Sequence, residues 1–255
     1  MKNTFLSAIP PEDLEALWPR MREVDLRKGQ VLIEQDQPVE EVHFPLSAQL
    51  CNLTVFEDGR SVETAVVGSE GMSGLAPFMA ESPCAWRVVV QIPGTALALP
   101  APVLRSRARM SDALRDLLLR LVHDYQSQSA QTAACNTVHR STARLARWLL
   151  MFDDRSQGSR LDITQQDLAT LMGMQRTTIS QAAGELKALG AIAYLRGAIR
   201  ITDRARLEGA ACECYEMQRR RSRALGLNPL SPDVGSRVAM PKTTAAARST
   251  ATSRV

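Results

Sequence analysis

The spacing of hydrophobic residues divides the 255-residue chain near residue 103. Before that point, short runs rich in valine and threonine alternate with turn residues, a pattern typical of β-strands. A short amphipathic helix is predicted ahead of them, over residues 12–24. Many short strands with glycine at the turns favour a sandwich or jelly roll over a parallel sheet. The predicted strands are Val31–Ile33, Val42–Phe44, Leu50–Phe56, Ser61–Val67, Trp86–Ile92 and Thr95–Leu99.

A long helix is predicted from about Val103, where hydrophobic residues begin to recur at helical spacing. Steps of four and three then run through the helix, as in the seam of a coiled coil. We therefore expect residues 104–136 to pair with a second copy of the chain. Packing of the helix on its own sheet is the alternative. The predicted seam residues are Leu114, Leu118, Leu121 and Tyr125.

Two short helices separated by a glycine are predicted over residues 164–187. Thr164 is a good N-cap for the first helix, and Gly173 suits a sharp turn because a positive φ costs little only for glycine. The second helix turns Ile179 and Leu186 inward and polar side chains outward. This arrangement is typical of a helix-turn-helix, whose second helix enters the DNA major groove. An ordinary corner between two helices is the alternative.

A β-hairpin is predicted directly after these two helices. Residues 190–195 and 198–201 read as two strands joined by Arg196 and Gly197. Such a hairpin is a wing, and it would place Arg196 and Arg200 where they can meet DNA phosphates.

Charge is distributed unevenly, although the whole chain carries only +4. Residues 1–103 hold 7 basic and 14 acidic residues, whereas residues 137–224 hold 15 basic and 9 acidic residues. A polyanion such as DNA would therefore be attracted to the second region and repelled by the first. A last helix is predicted over about residues 203–224. Residues 225–255, which have little to bury, are predicted to form a disordered basic tail.

Chemistry-bearing residues are scattered along the sequence. The five cysteines include no CxxC pair, so neither a zinc ribbon nor a disulfide framework is predicted, and no metal site is expected. We expect buried, inert thiols, with oxidation sensing by Cys51, Cys84 or Cys135 as the alternative. The three histidines, expected to be structural or surface residues, are His43, His123 and His139.

Enzymatic and membrane functions are not predicted. The sequence contains no Ser/His/Asp grouping, no metal-ligand spacing and no phosphate loop of the GxxxxGK type. No stretch approaches the roughly 20 apolar residues needed to span a bilayer. We therefore expect a cytoplasmic protein without a cofactor.

The order of a β-rich domain, a seam helix and a winged helix-turn-helix resembles the Crp/Fnr superfamily of bacterial transcription regulators. The resemblance covers roughly residues 5–215 and is strongest over LDITQQDLATLMGMQRTTISQAAGELKALGAIAYLRGAIRITDRARLE. It implies an α+β fold with a cyclic-nucleotide-binding-like jelly roll (1–103), a dimerisation helix (104–136) and a winged helix-turn-helix (137–224). It also implies a homodimer on a two-fold symmetric site in double-stranded DNA, with RNA polymerase as a further partner.

The resemblance also implies which residues contact DNA. Arg176 matches the family's recognition-helix arginine, which reads guanine O6 and N7. Thr177 and Gln181 replace a common glutamate and a common basic residue, so a different site is expected. The full set of expected contacts is Thr164, Gln175, Arg176, Thr177, Thr178, Ser180, Gln181, Lys187, Arg196 and Arg200.

The implied effector pocket departs from the members that bind cyclic AMP. Those members pair a glutamate for the ribose with an Arg-Ser for the phosphate, whereas here Pro83 precedes Cys84 and no carboxylate stands at the glutamate position. Cyclic AMP is therefore not expected to bind, and the effector is unknown. A ligand-binding or redox-sensing module whose main role is not DNA binding is the alternative function. The implied pocket residues are Gly71, Met72, Ser73, Gly74, Cys84 and Ser129.

Overall fold

A computed structural model describes residues 3–75, 78, 80, 82–155, 160–195 and 197–227. The predicted wing residue Arg196 lies outside the described residues. So does most of the predicted tail, from residue 228 onward.

Two antiparallel sheets form the N-terminal half. Its elements are α1 (Thr4–Ala8), α2 (Pro11–Leu17), a 3-10 turn (Trp18–Arg20), β1 (Arg22–Leu26), β2 (Val31–Ile33), β3 (Glu41–Pro45), β4 (Gln49–Val55), β5 (Ser61–Val67), β6 (Arg87–Ile92) and β7 (Gly94–Pro100). The strand orders are β1-β7-β3 and β2-β6-β4-β5. Side chains from both sheets, including Phe44, Leu50, Val90 and Leu99, meet in one buried core. The sandwich predicted from the strand pattern is confirmed.

The strand predictions hold to within one residue at each end, but the start of the chain differs from the prediction. The helix predicted over residues 12–24 ends at Leu17, and residues 22–26 form the edge strand β1 instead. Pro19 explains the early end, because its ring clashes with the preceding helical turn and it has no N–H to donate. β1 then pairs with β7 along its whole length.

The predicted long helix consists of two helices, α3 (Ala101–Met110) and α4 (Asp112–Val138). Ser111 between them is extended, and its Oγ accepts a hydrogen bond from the Leu114 N–H at 3.2 Å, which caps α4. The same hydroxyl donates to the buried Asp13 carboxylate at 2.7 Å. Ser111 therefore separates the two helices and ties their junction to α2.

The four side chains predicted to form a dimer seam are buried within the chain itself. Leu114, Leu118 and Leu121 are 0% exposed and Tyr125 is 8% exposed, all in the core shared with the two sheets. These positions form an intrachain contact. A heptad pattern shows that one face of a helix is buried, but it does not show whether the same chain or a second copy covers that face. A second row at heptad spacing is exposed or half-buried: Leu119, Val122, Gln126, Ser129 and Ala133.

A helical domain with a small sheet forms the C-terminal half. Its elements are α5 (Ser141–Asp153), β8 (Arg160–Leu161), α6 (Gln165–Met172), α7 (Arg176–Ala188), β9 (Ile192–Leu195), β10 (Ala198–Ile201), α8 (Arg204–Ala210) and α9 (Cys214–Ala224). The strand order is β8-β10-β9. Leu145, Leu149, Phe152, Leu168 and Ile179 are among the side chains of its buried core.

The end of the chain also differs from the prediction. The helix predicted over residues 203–224 is interrupted between α8 and α9. α9 packs along α4, where the buried Asp124 carboxylate accepts a hydrogen bond from Ser222 Oγ at 2.7 Å. Leu227, assigned to the tail, is 1% exposed and belongs to the core of the β-sandwich. Within the described ranges, no helix is long and apolar enough to cross a membrane.

Candidate nucleic-acid interface and effector pocket

The two helices of the predicted helix-turn-helix are present, with the predicted N-cap and the predicted glycine turn. Thr164 Oγ1 accepts from the Asp167 N–H and the Asp167 carboxylate accepts from the Thr164 N–H, both at 3.1 Å, so a capping box starts α6. Gly173 ends α6 in the left-handed region at φ 61°. Leu168 and Ile179, both 0% exposed, pack the two helices together. The local geometry therefore fits a helix-turn-helix with α7 as its second helix.

The polar side chains at the start of α7 face outward. Arg176 is the first residue of the helix, where the dipole is positive, and the described first turn holds no acidic residue. Gln181 already donates to Glu185 Oε1 at 3.4 Å, so a base contact by Gln181 would compete with this weak bond. Of the predicted contacts Thr178 is half-buried, and the exposed ones are Thr164, Gln175, Arg176, Thr177, Ser180, Gln181, Lys187 and Arg200.

The predicted wing is present as the hairpin of β9 and β10. Its strands pair from Ala198 opposite Leu195 to Ile201 opposite Ile192, and Gly197 in the turn has φ 75°. β8 adds a third strand and places the exposed Arg160 opposite the exposed Arg200. Arg160 is a cation that the sequence analysis did not assign to this surface, because residue 160 lies far from the wing in sequence.

The turn of the helix-turn-helix packs against the hairpin of β4 and β5. A Cβ at Gly173 would lie 3.0 Å from Val62 Cγ2. Beside this contact, a cleft of about 910 Å³ separates the hairpin from α6 and α7, and Arg60 and Arg176 both line it. The groove-facing end of α7 thus lies next to the β-sandwich in this conformation.

The backbone of the predicted effector cassette (residues 71–74) is occupied by intrachain hydrogen bonds. Tyr125 Oη accepts from the Met72 N–H at 3.2 Å and donates to the Met72 carbonyl at 3.0 Å. The Ser73 N–H donates to the His43 carbonyl at 2.8 Å, and the Cys84 N–H donates to the Gln37 carbonyl at 3.0 Å. Burial raises the pKa of Tyr125 well above its usual value, so the phenol stays neutral. These amides are not free to bind a phosphate.

A cavity of about 370 Å³ lies between the β-sandwich and α4. Ser129 is the predicted pocket residue that lines it; Gly71, Met72, Ser73, Gly74 and Cys84 are described but belong to the surrounding framework. No charged side chain is among its described lining residues, so the cavity offers no partner for a phosphate charge. The lining residues are Asn52, Thr64, Ala65, Leu75, Trp86, Val122, Tyr125, Gln126 and Ser129.

Buried polar contacts join the cassette region to the helical domain. Arg155 Nε donates to Glu70 Oε1 at 2.6 Å, and both side chains are almost fully buried. Trp148 Nε1 donates to Glu63 Oε1 at 2.9 Å. Burial raises the pKa of Glu63 to about 8, although the Trp148 hydrogen bond and the charge of Arg147 act in the opposite direction. These pairs leave no local signal in the sequence, because their members lie 85 residues apart.

Three cysteines and one histidine that are scattered along the sequence lie together in the fold. Cys135 and His139 at the end of α4 meet Cys212 and Cys214 at the start of α9. The expected burial of the thiols is observed, and four residues that could bind a metal lie together although no metal site was expected. Spacing along the sequence did not reveal this cluster, because 77 residues separate Cys135 from Cys212.

The fold and the two sites define a class: a regulator in which an effector-type β domain is joined to a winged helix-turn-helix. Family models match both parts. A model described as a Crp-like helix-turn-helix domain matches residues 143–210, and one described as a cyclic nucleotide-binding domain matches residues 23–109. The chain belongs to the Crp/Fnr family of DNA-binding transcription regulators, and it is not an enzyme.

Individual relatives are distant but cover most of the chain. A "CRP-like cAMP-activated global transcriptional regulator" of Mycobacterium tuberculosis is 21% identical over 210 residues, which cover 80% of this chain and 94% of the relative. The structure of FixK2 from Bradyrhizobium japonicum is 17% identical with a TM-score of 0.65, covering 75% of this chain and 98% of FixK2. A putative Crp/Fnr regulator from Eubacterium rectale is 17% identical with a TM-score of 0.66, covering 80% and 95%.

Proposed function

We propose that this chain is a homodimeric regulator that reads a two-fold symmetric DNA site and does not respond to cyclic AMP. The observation that supports the DNA-reading part is the outward face of α7, where Arg176, Thr177, Ser180 and Gln181 are exposed beside the paired strands β9 and β10. Arg176 reads guanine, and the wing and Lys187 contact phosphates. RNA polymerase is a further partner, on the strength of family membership.

Selection of bound sequences from random double-stranded DNA by the full chain tests this function. We expect two inverted half-sites whose centres lie about one helical turn, roughly 10 base pairs, apart. A matched selection with Arg20→Ala, an exposed arginine of the N-terminal half, should return the same site. Enrichment of no sequence, or of a single unsymmetric element, would contradict the proposal.

Dimerisation uses the exposed heptad row of α4 in place of the buried one. The row from Leu119 to Ala133 begins with the apolar Leu119 and Val122 and continues with small and polar side chains, all left exposed or half-buried by the chain, as a helix that packs on its own copy requires. Ala133→Glu should yield monomers in sedimentation, because two like charges would meet near the two-fold axis. Ala113→Glu, an exposed alanine on the opposite side of α4, should leave the dimer intact. A dimeric Ala133→Glu would place the interface elsewhere.

Independence from cyclic AMP is supported by the closed cassette and the uncharged cavity. The name of the mycobacterial relative makes cyclic AMP the first ligand to test. Calorimetry of the full chain with micromolar cyclic AMP should give no saturating heat, because a buried phosphate without a paired cation is costly. A saturating heat would overturn this part and leave the DNA-reading part standing.

The cavity favours an uncharged effector. Asn52 Oδ1 and Trp86 Nε1 are buried there without a hydrogen-bond partner among the described residues. A ligand with one donor and one acceptor on a mostly apolar body would satisfy both atoms. A screen of small neutral compounds by thermal shift, repeated with Asn52→Leu, tests this effector class.

A further inference from the structure

The Cys135, His139, Cys212 and Cys214 cluster brings together two distant parts of the chain. Cys135 lies in the last turn of α4 and His139 caps the end of that helix, whereas Cys212 and Cys214 lie at the start of α9. One potential ligand atom from each residue falls within 4.8 Å of all the others. The three cysteines are at most 8% exposed and the His139 side chain is 20% exposed, so the cluster is largely buried.

Two of the distances between these atoms match the edges of a single tetrahedral site. Cys135 Sγ and Cys212 Sγ are 3.5 Å apart, and Cys214 Sγ is 3.6 Å from His139 Nδ1. Zinc bonds of about 2.3 Å to sulfur and about 2.0 Å to nitrogen imply tetrahedral edges of roughly 3.8 Å and 3.5 Å. An iron–sulfur cluster spreads its ligands over several irons and would hold them farther apart. Three thiolates and one imidazole are also a common donor set of structural zinc.

The surroundings supply the second layer of contacts that metal ligands have. The other nitrogen of His139, Nε2, lies 3.2 Å from Glu213 Oε2, which would hold the ring with Nδ1 toward the ion. Gln131 Nε2 donates to Cys214 Sγ at 3.0 Å. Arg144 and Arg147 on α5 are close enough to interact electrostatically with the Cys135 sulfur. Two cations would offset the negative charge left by three thiolates on one divalent ion.

We propose that Cys135, His139, Cys212 and Cys214 bind one Zn²⁺ in a closed structural site. The ion would clasp the end of α4 to the start of α9, across the junction where the chain passes from the β-sandwich helix into the helix-turn-helix domain. A disulfide between Cys135 and Cys212 is a different use of two of these residues and would exclude the ion.

Metal titration of the reduced, metal-free full chain tests the proposal. We expect one equivalent of Zn²⁺ by mass spectrometry, and one equivalent of Co²⁺ with the visible absorption of a tetrahedral thiolate site that Zn²⁺ abolishes. The double variant Cys212→Ser/Cys214→Ser should lose both signals. Cys51→Ser, a buried cysteine outside the cluster, should keep both and serves as the matched control.

A milder variant keeps the test decisive if the double variant does not fold. Glu213→Gln should retain one equivalent but weaken metal affinity by about 10-fold or more, because the histidine loses its orienting carboxylate. Glu216→Gln, an exposed glutamate one turn further along α9, should bind as tightly as the parent chain. Equal affinity of both variants would contradict the assigned role of Glu213.

Three results would overturn the zinc site. One is the absence of saturable binding of either metal by the reduced parent chain. Another is a chromophore containing inorganic sulfide, which would identify an iron–sulfur cluster. The third is a metal-free chain that has lost two thiols to a disulfide under reducing purification. None of these readouts uses DNA or an effector, so their failure is separate from failure of the proposed function.

Discussion

The helix-turn-helix and the effector cassette are both predicted as binding sites, and the two regions differ in how the fold leaves their polar groups. The polar face of α7 is left open, with Arg176, Ser180 and Gln181 exposed. The cassette is filled from within, because the Tyr125 phenol bonds both backbone groups of Met72 and stands where a side chain on Gly71 would be. The exposed polar groups of α7 remain available to a partner, whereas the backbone groups of Met72 are already paired within the chain.

The largest effect is expected at the buried Arg155–Glu70 ion pair, whose Glu70 lies directly before the closed cassette in the chain. Arg155→Met should lower the free energy of unfolding by about 3–5 kcal/mol in urea denaturation, because it leaves the buried Glu70 charge unpaired. Arg22→Met, at the more exposed pair with Glu41, should cost at most about 1 kcal/mol. Similar costs for the two variants would mean that the cassette is not braced in this way.

Glu63 lies in the same group of buried contacts between the β-sandwich and the helical domain, and its pKa of about 8 makes the stability of the chain depend on pH. Between pH 4.5, its ordinary pKa, and about 8 the native Glu63 keeps a proton that the unfolded chain has released, so the free energy of unfolding falls as pH rises. Glu63→Gln should remove that fall, by on the order of 1 kcal/mol per pH unit in urea denaturation. The exposed Glu23→Gln should follow the parent chain. Parallel pH profiles for parent and Glu63→Gln would contradict this prediction.

The Tyr125 phenol separates two reasons why a nucleotide would be excluded. Tyr125→Phe should cost about 2 kcal/mol of stability, because the Met72 N–H and carbonyl lose their partner. It should still give no saturating heat with cyclic AMP, since no cation has been added to the cavity. A gain of binding would show that the phenol, and not the missing charge, closes the site.

The remaining test concerns the open surface of α7 and the wing. Arg176→Ala should weaken binding to the selected site by about 1–3 kcal/mol and relax preference at one base pair, measured by fluorescence anisotropy. Arg200→Ala on the wing should weaken binding to all sequences evenly and reduce the salt dependence by about one contact. If Arg176→Ala weakened binding to all sequences evenly, as expected for Arg200→Ala, Arg176 would contact only the backbone.

Local rules predicted the parts of the fold whose causes are local. β5 was predicted to the residue, and the Thr164 cap and the Gly173 turn hold because their partners lie within a few residues. Where the cause is remote, the sequence pattern was ambiguous. The heptad row from Leu114 to Tyr125 is buried as predicted, but the pattern could not show that the same chain buries it.

The candidate site residues were predictable in the same way: those close together in sequence could be predicted, and those far apart could not. The exposed contacts of α7 could be read from one short segment, since a helix displays its residues in a fixed order. The cysteine–histidine cluster and the Glu70–Arg155 pair depend on residues 77 and 85 positions apart. Only packing of α5 and α9 against the rest of the chain brings them together.

The return of α9 along α4 has a mechanical consequence for the helix-turn-helix domain. The chain enters this domain at residues 139–140 and leaves it through α9, and Leu227 is anchored again in the β-sandwich core. The buried Arg155–Glu70 and Trp148–Glu63 contacts, together with these two chain connections, hold the domain against the β-sandwich. We expect any rotation of the DNA-reading surface relative to the β-sandwich to require that these contacts break.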